Sequence, residues 1–318
     1  MQNKGGRMKR DFLAVTDFSR EEIYETFRIA KALKAEVKAG KPHHYFANQS
    51  MSMIFSKPSL RTRVSFETGM VQFGGHALYL GPNDISIGAR ESVKDISQVI
   101  SRYNDWIMAR LFKHEHMLEL AKYASVPVIN GLTDYNHPCQ IMADMLTIHE
   151  HRGTVENQKV VFIGDGNNVC NSFLNFAAVV PYHFVLAAPE GYDPDPETLA
   201  KAQAAGISTI EVVRDPIEAA KDADVLYTDV WTSMGQEEER QKRLNDFEGF
   251  QINTELLKHA KDDTLVMHCL PAHYGEEITE EVLDGPNSVV FDEAENRMHA
   301  QKAVMVMLAK SGGADIQI

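Results

Sequence analysis

Several short segments of this 318-residue chain combine residue types that can do chemistry. In Ser59-Leu60-Arg61-Thr62-Arg63 a hydroxyl opens a helical pattern that carries two arginines. Free N–H groups at a helix start and planar guanidinium forks both suit a phosphate, since each fork grips two oxygens at once. The same residues also fit a capped basic helix facing water, with Arg63 paired to Glu67 at i,i+4. Met108-Ala109-Arg110 ends an apolar run on a cation, where ligands collect in open α/β sheets. In His137-Pro138-Cys139-Gln140 the proline fits a first helical turn and sets His137 and Gln140 near a helix N-terminus. A histidine donor and an amide placed there polarise a carbonyl; the simpler role is a histidine that packs or caps.

The second half carries its own set. Gly164-Asp165-Gly166-Asn167-Asn168 follows an apolar strand and opens a helix, the position of a dinucleotide fingerprint. That fingerprint needs a further glycine where Val169 stands, so a nicotinamide cofactor is disfavoured while the fold reading survives. Asp229-Val230-Trp231-Thr232-Ser233-Met234-Gly235 places a carboxylate at a strand end beside a hydroxyl and a glycine, a set suited to a cationic amine or to an ordinary Asp-capped turn. His268-Cys269-Leu270-Pro271-Ala272 suggests a thiol nucleophile, but neighbours on an extended chain point opposite ways and make a poor dyad. Arg297, in Glu295-Asn296-Arg297-Met298, opens the last helical pattern. The pairs His43-His44, His114-Glu115-His116 and His149-Glu150-His151 lack metal-ligand spacing, and no metal is expected.

These segments sit at the joints of an alternating pattern. Short apolar runs at 51–55, 76–80, 106–109 and 126–129 read as strands, separated by helical periodicity. A capping box at Ser19-Arg20-Glu21-Glu22 starts a long first helix. A second series follows at 160–163, 184–188, 210–213, 225–228, 265–267 and 289–291, and residues 231–249 read as a mobile loop. The expectation is an α/β protein of two doubly wound parallel-sheet domains facing a cleft. The first spans 8–150 and the second 151–299, with the C-terminal helix, about 300–318, packing back on the first domain.

Composition narrows the partners. The net charge is −13, which argues against nucleic acid and anionic membranes. The asymmetry is large: residues 1–150 carry 19 basic and 16 acidic side chains, residues 151–318 carry 13 and 29. Three scattered cysteines form no disulfide framework, no apolar run reaches a membrane span, and the opening residues read as no targeting signal, so a cytoplasmic location is expected.

Taken in order, SLRTR, MAR, HPCQ, GDGNN, DVWTSMG, HCLPA and ENRMH resemble the aspartate/ornithine carbamoyltransferase family, from about residue 11 to 307. DVWTSMG with HCLPA points to the branch that acts on ornithine. The resemblance implies that Ser59, Leu60, Arg61, Thr62 and Arg110 hold the phosphate of carbamoyl phosphate. His137, Gln140, Arg297, Cys269 and Leu270 would hold its carbamoyl group, and Asn168, Asp229, Ser233 and Met234 would hold L-ornithine. Arg61, His137, Cys269 and Arg297 become the catalytic candidates, Cys269 as a thiolate that lowers the pKa of the attacking amine or positions it. It further implies a loop closing over substrate, no cofactor, and a homotrimer or an assembly of trimers. Family members extend a Gln or His from a neighbouring subunit toward the phosphate, and Ser86 stands at that position here. A carbamoyltransferase for putrescine and a non-catalytic phosphate-binding homologue are the alternatives.

Overall fold

The alternation is realised twice, in two sheets whose strands all run parallel. The computed structural model describes residues 9–233 and 235–318. By internal packing the chain forms two units, Met1–Ala143 with Glu295–Ile318, and Asp144–Ala294.

The first unit runs α1 (Arg20–Lys38), β1 (Ser50–Phe55), α2 (Leu60–Gln72), β2 (His76–Leu80), α3 (Val93–Tyr103), β3 (Trp106–Arg110), α4 (His114–Tyr123), β4 (Val128–Leu132) and the start of α5 (Pro138–Arg152). Both halves of the expected capping box form at α1: the Ser19 hydroxyl accepts the Glu22 N–H, and Glu22 accepts the Ser19 N–H. The sheet order is β2-β1-β3-β4. Ile54, Ile107 and Val128 of its strands bury against Ile96 and Ile100 of α3 and Leu120 of α4.

The second unit continues with β5 (Lys159–Ile163), α6 (Asn168–Ala177), β6 (His183–Ala187), α7 (Pro196–Ala205), β7 (Thr209–Val213), α8 (Pro216–Ala220), β8 (Val225–Thr228), α9 (Arg240–Asp246), α10 (Thr254–Leu257), β9 (Leu265–His268), α11 (Glu280–Leu283) and α12 (Val290–Ser311). Its sheet order is β7-β6-β5-β8-β9. Strand order reverses between β1 and β3 in one sheet and between β5 and β8 in the other. Connections leave on opposite faces at such a point and open a crevice at the carboxyl ends of the strands. Phe55 pairs with Arg110 at the first reversal, and Ile163 with Thr228 at the second. The segments SLRTR, GDGNN and DVWTSMG follow these strand ends, and MAR ends on one of them.

By packing, the units divide inside α5 and α12, between 143 and 144 and between 294 and 295, a few residues before the bounds expected from the sequence. Two expectations change. Residues 289–291 form no strand. One bridge, Val266 with Ser288, and one bond, Val289 N–H to Val266 O at 3.0 Å, precede α12. Exposed Asp292 in the first helical turn favours the helix electrostatically. Residues 231–249 contain α9, which is held by the ion pairs of Arg243 and, at its end, by buried Phe247 packed on Trp231 and Tyr192. The C-terminal helix does pack on the first unit: buried Lys302 Nζ lies 2.6 Å from Gln72 Oε1 and 2.5 Å from His43 Nε2.

Candidate active site

In the first unit the site is built where β1 and β3 end. Ser59 leaves β1 extended and caps α2, its Oγ accepting the Thr62 N–H at 3.2 Å. Its hydroxyl is thereby engaged, and Leu60, largely exposed, begins the helix. Arg110 ends β3 where the register against β4 slips between Ala109 and Arg110, a bulge that re-aims the side chain. Arg63 stands apart: it pairs with Glu67 at 3.2 Å and lies over the Tyr79 ring, as the i,i+4 spacing suggests.

His137 and Gln140 open α5, and α12 returns Arg297 to them. Buried Arg297 donates from Nη1 to Gln140 Oε1 at 2.5 Å and from Nη2 to Thr62 Oγ1 at 3.4 Å. Arg61, Thr62, Arg110, His137, Gln140 and Arg297 therefore form one cluster, although 157 residues separate Arg297 from Gln140. Burial, reinforced by the positive charges of Arg297, Arg110 and Arg61, holds the His137 pKa well below the usual histidine value. The ring is neutral at physiological pH, so it offers a hydrogen bond rather than a charge.

That depression has a consequence for stability. His137 and buried His299, whose pKa falls to about 3 through burial beside Lys302, Lys34 and Lys38, bind protons less readily folded than unfolded. Their contribution is complete above the unfolded value of about 6.5 and is lost as pH falls below it, by up to about 1.4 kcal/mol per pH unit for each histidine. Urea midpoints should drop between pH 7.5 and 5, and His299→Gln should remove about one proton from that slope. Equal midpoints across the range contradict the assignment.

In the second unit the site forms at the ends of β5, β8 and β9. Gly164–Asn168 follows β5, Asp229 follows β8, and Cys269 follows β9. A Cβ on Gly166 would stand 2.4 Å from the Asp193 carbonyl carbon, so only glycine lets this turn pass. Asn167 caps α6, its Oδ1 accepting the Val169 and Cys170 N–H groups at 2.9 and 3.1 Å. Its Nδ2 donates to Asp229 Oδ2 at 2.8 Å. Asp229 Oδ1 accepts the Val230 N–H at 2.8 Å and the Cys269 thiol at 3.0 Å. Burial and the adjoining Asp229 charge push the Cys269 thiol well above its ordinary value. The expected thiolate is thus a thiol that donates, because an anion beside a buried carboxylate is doubly disfavoured. Cys139, inside HPCQ, is pushed to about 12 by burial and is inert.

Leu270 adopts φ +57° ahead of a cis Pro271. Cys269 and Leu270 thus fold beside Asp229 in the second unit, apart in the chain division from the other residues assigned to the carbamoyl group. Ser233 forms a small turn with Gln236, its N–H bonded to Gln236 Oε1 at 3.1 Å. Met234 lies outside the described residues.

Sequence reading passed over three positions. Asn167 bonds Asp229; its place immediately before the helix was the available signal, since N-caps precede the first turn. Lys57 is buried, pairs with Asp134 and lies over Phe112, tying the loop after β1 to the loop after β4. Buried Arg243 of α9 donates to Asp165 Oδ2 at 2.7 Å, to the Trp231 carbonyl at 2.9 Å and to Glu239 at 3.0 Å. It joins the glycine turn to the segment that follows Asp229.

Arg243→Met should therefore loosen residues 231–236 while leaving the first-unit cluster untouched. If that segment closes over an amine, KM for the amine should rise about tenfold, the weight of one charge-assisted bond, with KM for a phosphate ligand unchanged. Parallel changes in both constants, or none, oppose this reading. Arg243→Lys should rescue poorly, because an ammonium cannot reproduce the fork.

Among the described residues, Asp229, His268 and Cys269 bring potential metal-ligand atoms within 4.8 Å of one another. Each is already committed: His268 to Leu270 and Glu277, and Cys269 to Asp229. His273, Glu276 and Glu277 also lie close, but Arg240 holds Glu276 and His268 holds Glu277. No described helix is long and apolar enough to cross a membrane.

Comparison with known proteins also divides the chain in two, with the boundary between residues 150 and 156. Residues 10–150 match the carbamoyl-P binding domain of aspartate/ornithine carbamoyltransferases, and residues 156–308 match the Asp/Orn binding domain. The chain is 56% identical over 304 residues to the chloroplastic ornithine carbamoyltransferase of Pisum sativum, covering 95% of this chain and 81% of that protein. The solved structure of the Pyrococcus furiosus ornithine carbamoyltransferase is similar at TM-score 0.90 and 50% identity, over 94% of this chain and 96% of that one. The anabolic ornithine carbamoyltransferase of Campylobacter jejuni is similar at TM-score 0.89 and 39% identity, over 95% and 99%.

Proposed function

The chain belongs to the aspartate/ornithine carbamoyltransferase family, and from that premise we propose that it transfers the carbamoyl group of carbamoyl phosphate to the δ-amine of L-ornithine, giving L-citrulline and phosphate. The observation that carries the reading is the convergence of Arg61, Arg110 and Arg297 on a neutral, buried His137.

The arginines hold the phosphate oxygens with Ser59, Leu60 and Thr62, and neutralise charge as the bridging C–O bond breaks. His137 donates to the carbamoyl oxygen, supported by Gln140 and Arg297, and the donors strengthen as that oxygen becomes an oxyanion. A neutral imidazole is well suited here, because it gives a hydrogen bond without competing with the arginines for the anion. Asp229, steadied by Asn167 and the Cys269 thiol, takes the α-ammonium of ornithine, with Asn168, Ser233 and Met234 completing that subsite. The δ-nitrogen attacks as the free amine, loses its remaining extra proton to solvent, and phosphate departs with the bonding pair. The segment from Trp231 closes over the substrates, excluding water that would hydrolyse carbamoyl phosphate.

We propose the biosynthetic direction, in keeping with the anabolic neighbour, and a cytoplasmic setting, in keeping with three free thiols. Association into trimers is supported by a stripe on α2, where Leu60, Val64 and Val71 are exposed at helical spacing. Ser86 is exposed and available to a neighbouring subunit.

Citrulline formation from carbamoyl phosphate, measured in parallel with ornithine and putrescine, tests the reading. Turnover with ornithine is expected; turnover confined to putrescine, or phosphate binding without any product, overturns it.

A further inference from the structure

We propose that Asp144 and Glu293 share a single proton and act as positioning residues of the carbamoyl-transfer site, fixing α12 on α5 so that Arg297 meets Gln140. The inference rests on the carbamoyl-transfer reading but concerns two carboxyl groups that the reading leaves without a role.

Asp144 lies on α5 and Glu293 on α12, and both are buried. Their side chains hydrogen-bond to one another. An ionised carboxylate only accepts, so one of the two must carry a proton. Glu293 is the donor, because burial and the Asp144 charge push its pKa well above the usual carboxylate range. Its oxygens also accept: Oε2 takes the His268 backbone N–H at 3.0 Å and Oε1 the Tyr227 hydroxyl at 3.3 Å. These bonds fasten the pair to β8 and β9. The other titratable groups around it, Tyr227, Cys269 and Asp229, bring no positive charge that could take the place of the proton.

Spacing gives the pair its role. Gln140 and Asp144 stand four residues apart on α5, as Glu293 and Arg297 do on α12. Residues at i and i+4 share one helix face. Arg297 bonds Gln140 and Glu293 bonds Asp144, so the two contacts are successive rungs between antiparallel helices, about one 5.4 Å turn apart. While the carboxyl rung holds, α12 can neither rotate nor slide on α5. Two bare carboxylates in the same place would repel each other, part the helices and carry Arg297 away from Gln140.

Two substitutions at Asp144 leave Glu293 and its bonds to His268 and Tyr227 in place. In Asp144→Asn the amide oxygen still accepts the Glu293 proton, and kcat for citrulline formation is expected to stay close to the wild-type value. In Asp144→Ala the acceptor is gone, and kcat is expected to fall on the order of 10²-fold, the effect of displacing a positioned group. Its pH profile should also gain an acid limb, because Arg297 no longer helps to hold His137 neutral. An Ala variant that keeps its kcat, or that loses thermal stability without gaining the acid limb, makes the pair merely structural and overturns the proposal. Asn and Ala variants impaired alike overturn it too. Infrared spectroscopy reads the proton directly: the C=O band of a buried carboxylic acid is expected in the wild-type chain at neutral pH and should vanish in Glu293→Gln. A wild-type chain without that band contradicts the shared proton. Should the Ala variant not fold, the Asn variant and the band decide. A wild-type chain that makes no citrulline defeats the underlying reading instead, whether or not the band is present.

Discussion

Replacing Arg297 with methionine is expected to lower kcat for citrulline formation by about 10²–10³-fold, the loss of one oxyanion donor. The substitution keeps side-chain volume and removes the fork that serves Gln140 and Thr62 together. Buried Gln140 Oε1 then loses a charge-assisted partner, a further cost of about 1–3 kcal/mol to stability. Arg297→Lys should recover little, since one ammonium cannot reach both acceptors in the guanidinium plane. The positive charge that helps depress His137 also disappears, so the histidine should begin to titrate closer to its ordinary range. A pH profile that gains an acid limb beside the reduced kcat is the expected signature. A rise in KM for carbamoyl phosphate, with kcat intact, would place Arg297 outside the reacting group.

Asp229→Asn should act on the other substrate. The native carboxylate takes three donors, from Val230, Asn167 and Cys269. An asparagine amide sets its NH2 against at least one of them and removes the charge that would face an ammonium. Losing one partner of a buried charge pair costs about 2–5 kcal/mol, so KM for ornithine should rise by about 30- to several thousand-fold. Carbamoyl phosphate binding, measured separately by calorimetry, should not change. The same variant reports on Cys269: without the neighbouring anion its pKa falls toward the ordinary thiol value, and alkylation by iodoacetamide should accelerate. Unchanged alkylation would mean that burial alone protects the thiol.

Much of this site was legible residue by residue because the rules that place it are local. A strand that ends on Phe55 or Thr228 must turn, and a hydroxyl or amide that follows can cap the next helix. Ser59 and the Ser19–Glu22 box obey that rule. So does the pairing of Arg63 with Glu67 one helical turn away, which removes Arg63 from the anion site. Errors arose where a segment's state depends on distant partners. The charged stretch around Arg243 reads as loop, yet a buried ion pair with Asp165, 78 residues earlier, and the stacking of Phe247 on Trp231 organise it. The β-branched pair Val289-Val290 reads as strand, yet α12 begins at Val290.

The division between sequence and tertiary structure is clearest in the protonation states. Residue types and their order were enough for two parallel-sheet units, for the arginines and His137 at strand ends of the more basic half, and for the carboxylate after β8 in the acidic half. Cys269 next to His268 looked like a reactive thiol or thiolate; only the approach of Asp229, 40 residues away, makes it a donor. His137 carried no sign of its charge state until Arg61, Arg110 and Arg297 closed around it. Helix caps and turns act over one to four residues, so a sequence displays them directly. Protonation and hydrogen-bond partnership depend on desolvation and on charges within a few ångströms, and those distances exist only once strand register and helix packing bring remote residues together.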